Sequence, residues 1–120
     1  PLTPKSLSDK YYKLNKKYYG KAVTHDNLIR YEWARIPHFY TAFYVYKYST
    51  GLTAAVNIAN AILTKGESAV ADYKRFLKSG GSDSPYELLK IAGVDLMDKT
   101  PFNNAMNEFK ATLEQLKKEF

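Results

Sequence analysis

Glycine and proline residues divide this 120-residue chain into segments with the length of short helices. Within the segments, apolar residues recur every three or four positions, which places them on one face of an α-helix. The clearest stripe lies near the end of the chain and consists of Phe102, Ala105, Met106, Phe109, Leu113 and Leu116. Residues 44–46 come closest to the alternating pattern of a strand, but helical patterns flank them. The sequence therefore predicts an all-α fold, a bundle of about five to six helices.

Residues that start and stop helices indicate two short helices at the beginning of the chain. Ser8 is a suitable cap for a first helix that continues to about residue 19 and ends at Gly20. Thr24 or Asp26 can open a second helix. Pro37 breaks it, because the residue before a proline is disfavoured in the helical conformation.

One long helix is expected after Pro37, since proline fits the first turn of a helix, where its missing N–H costs nothing. This helix is predicted to run from about His38 to Thr64 and to end at Gly66. Its expected buried stripe consists of Leu52, Ala55, Val56, Ala59, Ile62 and Leu63.

The rest of the chain contains three further helix patterns. One covers residues 67–78 and ends at a pair of glycines. Ser84 and Glu87 form a capping box around Pro85, which predicts a short helix over residues 85–92. The last helix opens at Thr100. Residues 1–120 are therefore expected to form a single helical domain.

Composition excludes several classes of protein. The chain is 45% hydrophobic and 25% charged, and no apolar run reaches the roughly 18 residues that a membrane span needs. The absence of cysteine excludes disulfides and thiolate metal sites and fits a cytoplasmic protein. The formal net charge is +6, but lysines dispersed along helices are typical of a solvated face. We therefore expect no membrane partner and no nucleic-acid partner.

Residues 32–51 contain a concentration of tyrosine beside one of the two histidines. On a continuous helix these residues would form two faces, which are Tyr40, Tyr44 and Tyr48 on one side and His38, Ala42 and Tyr46 on the other. Histidine can donate a hydrogen bond to a carbonyl, and a tyrosine hydroxyl can donate to an oxyanion as its charge develops. The alternative is structural, because aromatic residues at helical spacing often pack in a core.

Four runs of sequence resemble the oligoendopeptidase F family of thimet-oligopeptidase-like zinc metallopeptidases. They are WARIPHFY at residues 33–40, FYVYKYSTG at 43–51, YKRFLKSGGS at 73–82 and PYELLKIAGVD at 85–95. The runs occur in order, and the resemblance covers most of the chain from Tyr18 onward. It implies that residues 1–120 are a C-terminal, helical fragment of the catalytic domain of a larger, mostly helical peptidase.

The resemblance also implies zinc, held in that family by two histidines of an H-E-x-x-H helix and a downstream glutamate. This chain has no H-E-x-x-H motif, and His25 and His38 are too far apart in sequence to face one metal ion from a helix. The zinc motif is therefore expected upstream, no metal is expected to bind here, and the fragment alone is expected to be inactive. Its expected partners are short peptide substrates and the remainder of the same polypeptide.

Site residues follow from the same resemblance. His38 is expected to contact the peptide carbonyl beside the scissile bond, and Tyr46 to donate its hydroxyl to the oxyanion. Tyr40 and Tyr44 are expected to contact the substrate. The alternative function is a small helical interaction module, or a single-stranded nucleic-acid-binding module that uses the lysines and tyrosines of residues 10–13 and 16–19.

Overall fold

Two units make up the chain, residues 1–45 (unit 1) and residues 46–120 (unit 2), and the computed structural model describes all of residues 1–120. Their secondary structure consists of α-helices and 3₁₀-helices, with no strand. The predicted all-α fold is confirmed.

Helix α1 (Pro4–Tyr19) opens unit 1 and starts earlier than expected. The Thr3 hydroxyl accepts a hydrogen bond from the Ser6 N–H, the Ser6 hydroxyl accepts one from the Thr3 N–H, and Pro4 occupies the first helical position. The prediction that Ser8 caps this helix is wrong, because this complete capping box lies upstream of it. Ser8 lies inside α1 and is buried.

The second predicted helix is present as a 3₁₀-helix, Asn27–Arg35, rather than as an α-helix. Asp26 caps it, since its carboxylate accepts a hydrogen bond from the Leu28 N–H at 2.7 Å. This 3₁₀-helix packs against α1 within unit 1. It ends at Arg35, and the extended backbone of Ile36 (φ −95°, ψ 106°) is typical of a residue before proline.

The prediction of one long helix after Pro37 is wrong over its first turns. Pro37–Tyr40 forms one 3₁₀-helical turn, and helix α2 (Tyr46–Lys65) begins only after it. Between them Phe43 has a φ of 58°, in the left-handed region, and a right-handed α-helix cannot continue through such a residue. Proline therefore starts a short turn here instead of a long helix.

Unit 2 contains four α-helices, which are α2, α3 (Glu67–Ser79), α4 (Pro85–Ile91) and α5 (Thr100–Glu119). Helix α2 packs against α3 and α5, and α3 packs against α4. The predicted helices over residues 67–78, over residues 85–92 and from Thr100 are confirmed, and Ser84 caps α4. The predicted capping box is incomplete, because the Glu87 carboxylate pairs with Lys90 and the Ser84 N–H donates to Asp83 instead.

The core of unit 2 is formed by Ala54 and Ile58 of α2 together with Val94. Val94 follows Gly93, whose φ of 79° ends α4. The Gly93 N–H donates to the Lys90 carbonyl and the Val94 N–H to the Leu89 carbonyl, the two bonds of a Schellman motif. This C-cap turns Val94 inward, where only 1% of it is exposed.

The buried stripe predicted for α2 is largely wrong. Leu52 and Leu63 are exposed, Leu63 by 82%, and so are Ala55 and Ala59. The buried residues of α2 are Thr53, Ala54 and Ile58. Apolar residues surround much of this helix, so periodicity alone does not select the face that meets α3 and α5.

The apolar stripe of α5 is present but faces solvent. Pro101 and Ala105, in the first two turns, are buried. Beyond them the large apolar side chains are exposed, and they are Met106, Phe109, Leu113, Leu116 and Phe120. We refer to these five residues as the α5 stripe.

Candidate active site

The backbone of residues 37–44 is a series of tight turns. Within it the Thr41 N–H donates to the His38 carbonyl at 3.3 Å, and the Tyr44 N–H donates to the Thr41 carbonyl at 3.3 Å. Phe43, in the left-handed conformation, lies inside the second of these turns. The chain therefore folds back on itself after His38.

This fold-back brings the His38 and Tyr44 rings together. Their centroids are 5.5 Å apart and the ring planes are inclined by 42°. His38 is exposed on the surface of unit 1. An exposed imidazole that packs against an aromatic ring can reach a ligand while its orientation is restricted.

Tyr40 is directed elsewhere. Its hydroxyl donates to the Ala34 carbonyl at 2.8 Å, and its ring lies 6.5 Å from the ring of Trp33. The Trp33 indole N–H in turn donates to the Ser8 hydroxyl at 3.0 Å. These contacts attach the turn to the 3₁₀-helix Asn27–Arg35 and to α1.

A second set of contacts attaches Phe39 to α1. The Phe39 and Tyr11 rings meet edge to face, with centroids 6.3 Å apart. The Tyr11 hydroxyl donates to the Glu32 carboxylate at 2.9 Å, and Arg35 forms an ion pair with the same carboxylate. The Tyr11 hydrogen bond, followed by that of Arg35, lowers the pKa of Glu32, while burial and the nearby Glu32 raise the pKa of Tyr11.

Tyr46 belongs to unit 2, where it is the first residue of α2, and it is exposed. The predicted faces with Tyr40, Tyr44 and Tyr48 on one side and His38, Ala42 and Tyr46 on the other are wrong, because residues 41–45 are not helical. Of the three tyrosines predicted at the site, Tyr44 is the one whose ring meets His38.

His25 has a different environment from His38. One ring nitrogen lies 2.7 Å from the Gly20 carbonyl oxygen and the other 3.0 Å from the side-chain oxygen of Asn15. These contacts join the loop after α1 to the end of α1. These local contacts indicate a structural role for His25.

The lysine-rich surface of α1, on which the alternative nucleic-acid function rests, makes contacts within unit 1. The Lys16 ammonium lies 4.6 Å from the centroid of the Tyr12 ring, and the Arg30 guanidinium carbon lies 5.3 Å from the same centroid. The Lys17 ammonium lies 6.0 Å from the Tyr18 centroid. At least one of these tyrosine faces is thus already paired with cations of the protein itself.

No group of three or more histidine, aspartate or glutamate side chains in the chain is arranged to hold a metal ion. Residues 1–120 therefore offer no set of ligands for the zinc that the resemblance implies. None of the helices combines the length and the apolar character needed to cross a lipid bilayer.

Comparison with known proteins defines the class. The model of Peptidase family M3 matches residues 1–108, and the chain belongs to this family. It is 46% identical over 116 residues to "Oligopeptidase PepF" from Bacillus subtilis and 45% identical over 120 residues to "Oligoendopeptidase F homolog" from Borreliella burgdorferi.

A solved structure gives the same result at the level of the fold. The crystal structure of oligoendopeptidase-F from Enterococcus faecium matches 98% of this chain with a TM-score of 0.84 and 47% identity. The chain spans 17% and 20% of the two curated relatives and 23% of the crystallised chain. The predicted resemblance to oligoendopeptidase F is confirmed, over about a fifth of the length of these proteins.

Two supporting features were not predicted from the sequence. The bonds between Ser8 and Trp33 and between Tyr11 and Glu32 each join α1 to a segment more than 20 residues further along the chain. No local motif indicates such pairs. The left-handed Phe43 was also missed, since glycine and asparagine, not phenylalanine, are typical of that conformation.

Proposed function

We propose that this chain is part of an oligoendopeptidase that hydrolyses short peptides, and that it supplies residues which bind the substrate and stabilise the oxyanion. Membership of Peptidase family M3 and similarity to oligopeptidases along nearly the whole chain support this proposal. The observation that carries it is the exposed imidazole of His38, packed against Tyr44 on a tight turn. We propose a cytoplasmic location for the same protein, in keeping with its lack of cysteine.

His38 would bind the carbonyl of the peptide beside the scissile bond. A ring N–H donates a hydrogen bond to a carbonyl oxygen in either protonation state, provided that the nitrogen facing the substrate carries the proton. Such a contact holds the peptide in register for attack by water. The support for this role is the exposure of His38 and the restriction of its ring by Tyr44.

Tyr46 would donate its hydroxyl to the oxygen of the scissile carbonyl as that oxygen becomes negative. A donor placed where charge develops stabilises the transition state more than the bound substrate, and therefore raises kcat. The exposure of Tyr46 at the start of α2 leaves it accessible to a substrate. Tyr40 and Tyr44 are proposed to contact other parts of the peptide.

The zinc of the proposed enzyme would need ligands from outside residues 1–120, since these residues provide no suitable cluster. The chain alone is therefore proposed to be inactive. Incubation of the 120-residue chain with zinc and a fluorogenic peptide should give no turnover. Metal-dependent cleavage by the purified chain would contradict the proposal that it contributes only part of the active site.

The role of Tyr46 is tested in the full-length peptidase by Tyr46→Phe, which removes only the hydroxyl. Loss of an oxyanion donor costs about 3–4 kcal/mol of transition-state stabilisation, so kcat should fall by about 100- to 1,000-fold with little change in KM. Tyr31→Phe, which makes the same change at an exposed tyrosine of the 3₁₀-helix Asn27–Arg35, is the matched control and should leave kcat unchanged. An unaltered kcat in Tyr46→Phe would remove Tyr46 from the mechanism.

A further inference from the structure

Tyr44 differs from the other tyrosines near His38 in how far it is covered. Its exposed fraction is 37%, against 67% for Tyr40 and 63% for Tyr46. Its ring lies against the imidazole, at a centroid distance of 5.5 Å. The ring of Tyr44 is thus partly covered and packs against His38.

The backbone is shaped to produce this contact. Tyr44 closes a turn by donating its N–H to the Thr41 carbonyl, and the turn contains Phe43 at a φ of 58°. A phenylalanine in the left-handed region is unfavourable, because its Cβ crowds the backbone. Backbone strain of this kind persists only where the surrounding structure enforces it, and it is concentrated at functional sites.

Packing of this kind matters for a histidine that binds a carbonyl. An exposed side chain changes rotamer on the picosecond to nanosecond timescale, which spreads the ring nitrogens over many directions. A neighbouring ring that blocks some rotamers keeps the N–H directed at one place. For reacting groups, a misplacement of about 1 Å can cost 100-fold in rate.

We propose that Tyr44 is a positioning residue for His38: its ring packs against the imidazole and holds the N–H in the direction from which it binds the substrate carbonyl. This inference rests on the proposed function of His38. It assigns to the ring of Tyr44 a role that is separate from any contact between its hydroxyl and the substrate.

The first test is spectroscopic and does not depend on activity. An aromatic ring at this distance shifts the NMR signals of the His38 ring protons, and the chain has only two histidines, so both are readily assigned. Tyr44→Leu should move the His38 signals away from their wild-type positions, and Tyr44→Phe should leave them nearly in place. His25, held by Asn15 and Gly20, is the internal reference and should not shift.

Two further variants keep this test valid if Tyr44→Leu fails to fold. Phe43→Val leaves both rings intact but disfavours the left-handed turn, and it should displace the His38 signals as Tyr44→Leu does. Tyr18→Leu makes the same replacement on an exposed tyrosine of α1 and should change nothing. His38 signals that are identical in wild type, Tyr44→Leu and Phe43→Val would overturn the proposal.

The second test measures kinetics in the full-length peptidase. Tyr44→Leu should lower kcat by about 10- to 100-fold. Tyr44→Phe, which keeps the ring, should recover most of kcat, and any loss of a hydroxyl contact with bound substrate should appear in KM. A Tyr44→Phe variant as slow as Tyr44→Leu would overturn the positioning role in favour of the hydroxyl.

His38→Gln separates failure of this inference from failure of the proposed function. If His38→Gln is as active as the wild type, the proposed role of His38 is wrong, and the positioning role fails with it. If His38→Gln is impaired while Tyr44→Leu is not, His38 keeps its role and only the positioning by Tyr44 is overturned.

Discussion

The two units are stabilised in different ways. Unit 2 has an apolar core, in which Ala54, Ile58 and Val94 are buried between α-helices. In unit 1 the buried residue is a serine, Ser8, and it accepts a hydrogen bond from Trp33. Unit 1 is therefore held by hydrogen bonds between distant segments with no buried apolar residue, whereas unit 2 combines such bonds, as between Asn57 and the Pro101 carbonyl, with an apolar core.

This difference has a consequence for how each unit tolerates change. Apolar packing stabilises through area, so many apolar side chains of similar volume serve equally well. A hydrogen bond such as that between Tyr11 and Glu32 depends on particular atoms at a particular distance. Unit 1, which contains His38 and Tyr44, is therefore the less tolerant of small polar substitutions.

Val94→Asp should have the largest effect and should act on unit 2. A carboxylate would be buried beside Ala54 and Ile58 at a position that is 1% exposed, so the free energy of unfolding should fall by about 4 kcal/mol or more. Chemical denaturation followed by far-UV circular dichroism measures it. Met97→Asp, at an exposed position nearby, is the control, and equal losses in the two variants would show that Val94 is not part of a core.

Ser8→Ala should have a smaller effect, and on unit 1. The Trp33 N–H would lose its acceptor, at a cost of about 1–2 kcal/mol in the free energy of unfolding. Trp33 is the only tryptophan, so its fluorescence reports denaturation of this unit directly. Ser82→Ala, on an exposed loop, provides the baseline. If the two serine variants unfold alike, the polar pair does not stabilise unit 1 and the contrast between the units is lost.

Phe43→Gly should have the smallest effect and the opposite sign. Glycine adopts the left-handed region without steric cost, and the Phe43 side chain is 88% exposed, so unit 1 should gain about 0.5–1 kcal/mol. The same denaturation experiment applies. Phe39→Gly is the counterpart, and it should destabilise because Phe39 packs against Tyr11. A destabilised Phe43→Gly would show that the side chain contributes more than its backbone conformation costs.

Most of the fold could be predicted because helix signals are local. Pro85 and the capping residue Ser84 mark the start of α4, and Gly93 marks its end. Each of these signals acts through its own backbone neighbours, and so it can be read from a short window of sequence. The same holds for the start of α5 at Thr100.

The geometry of the candidate site could not be predicted in the same way. Pro37 is compatible both with a long helix and with a single 3₁₀ turn, and a left-handed Phe43 decides between them. Phenylalanine has no preference for the left-handed conformation, and no neighbouring residue in the sequence indicates that Phe43 adopts it. The residues themselves, His38 and the nearby tyrosines, were identified through resemblance to a family, while the pairing of His38 with Tyr44 required the folded chain.

The α5 stripe determines how the isolated chain must be handled. Its exposed methionine, leucine and phenylalanine side chains will adsorb to hydrophobic chromatography resin and will bind fluorescent dyes that report apolar surface. Salt favours association of the chains in two ways. It shortens the range of the repulsion between chains of net charge +6. Sulfate and phosphate also strengthen apolar association. Purification in dilute buffers of low ionic strength therefore keeps the chains apart, and salting-out concentrates them into clusters.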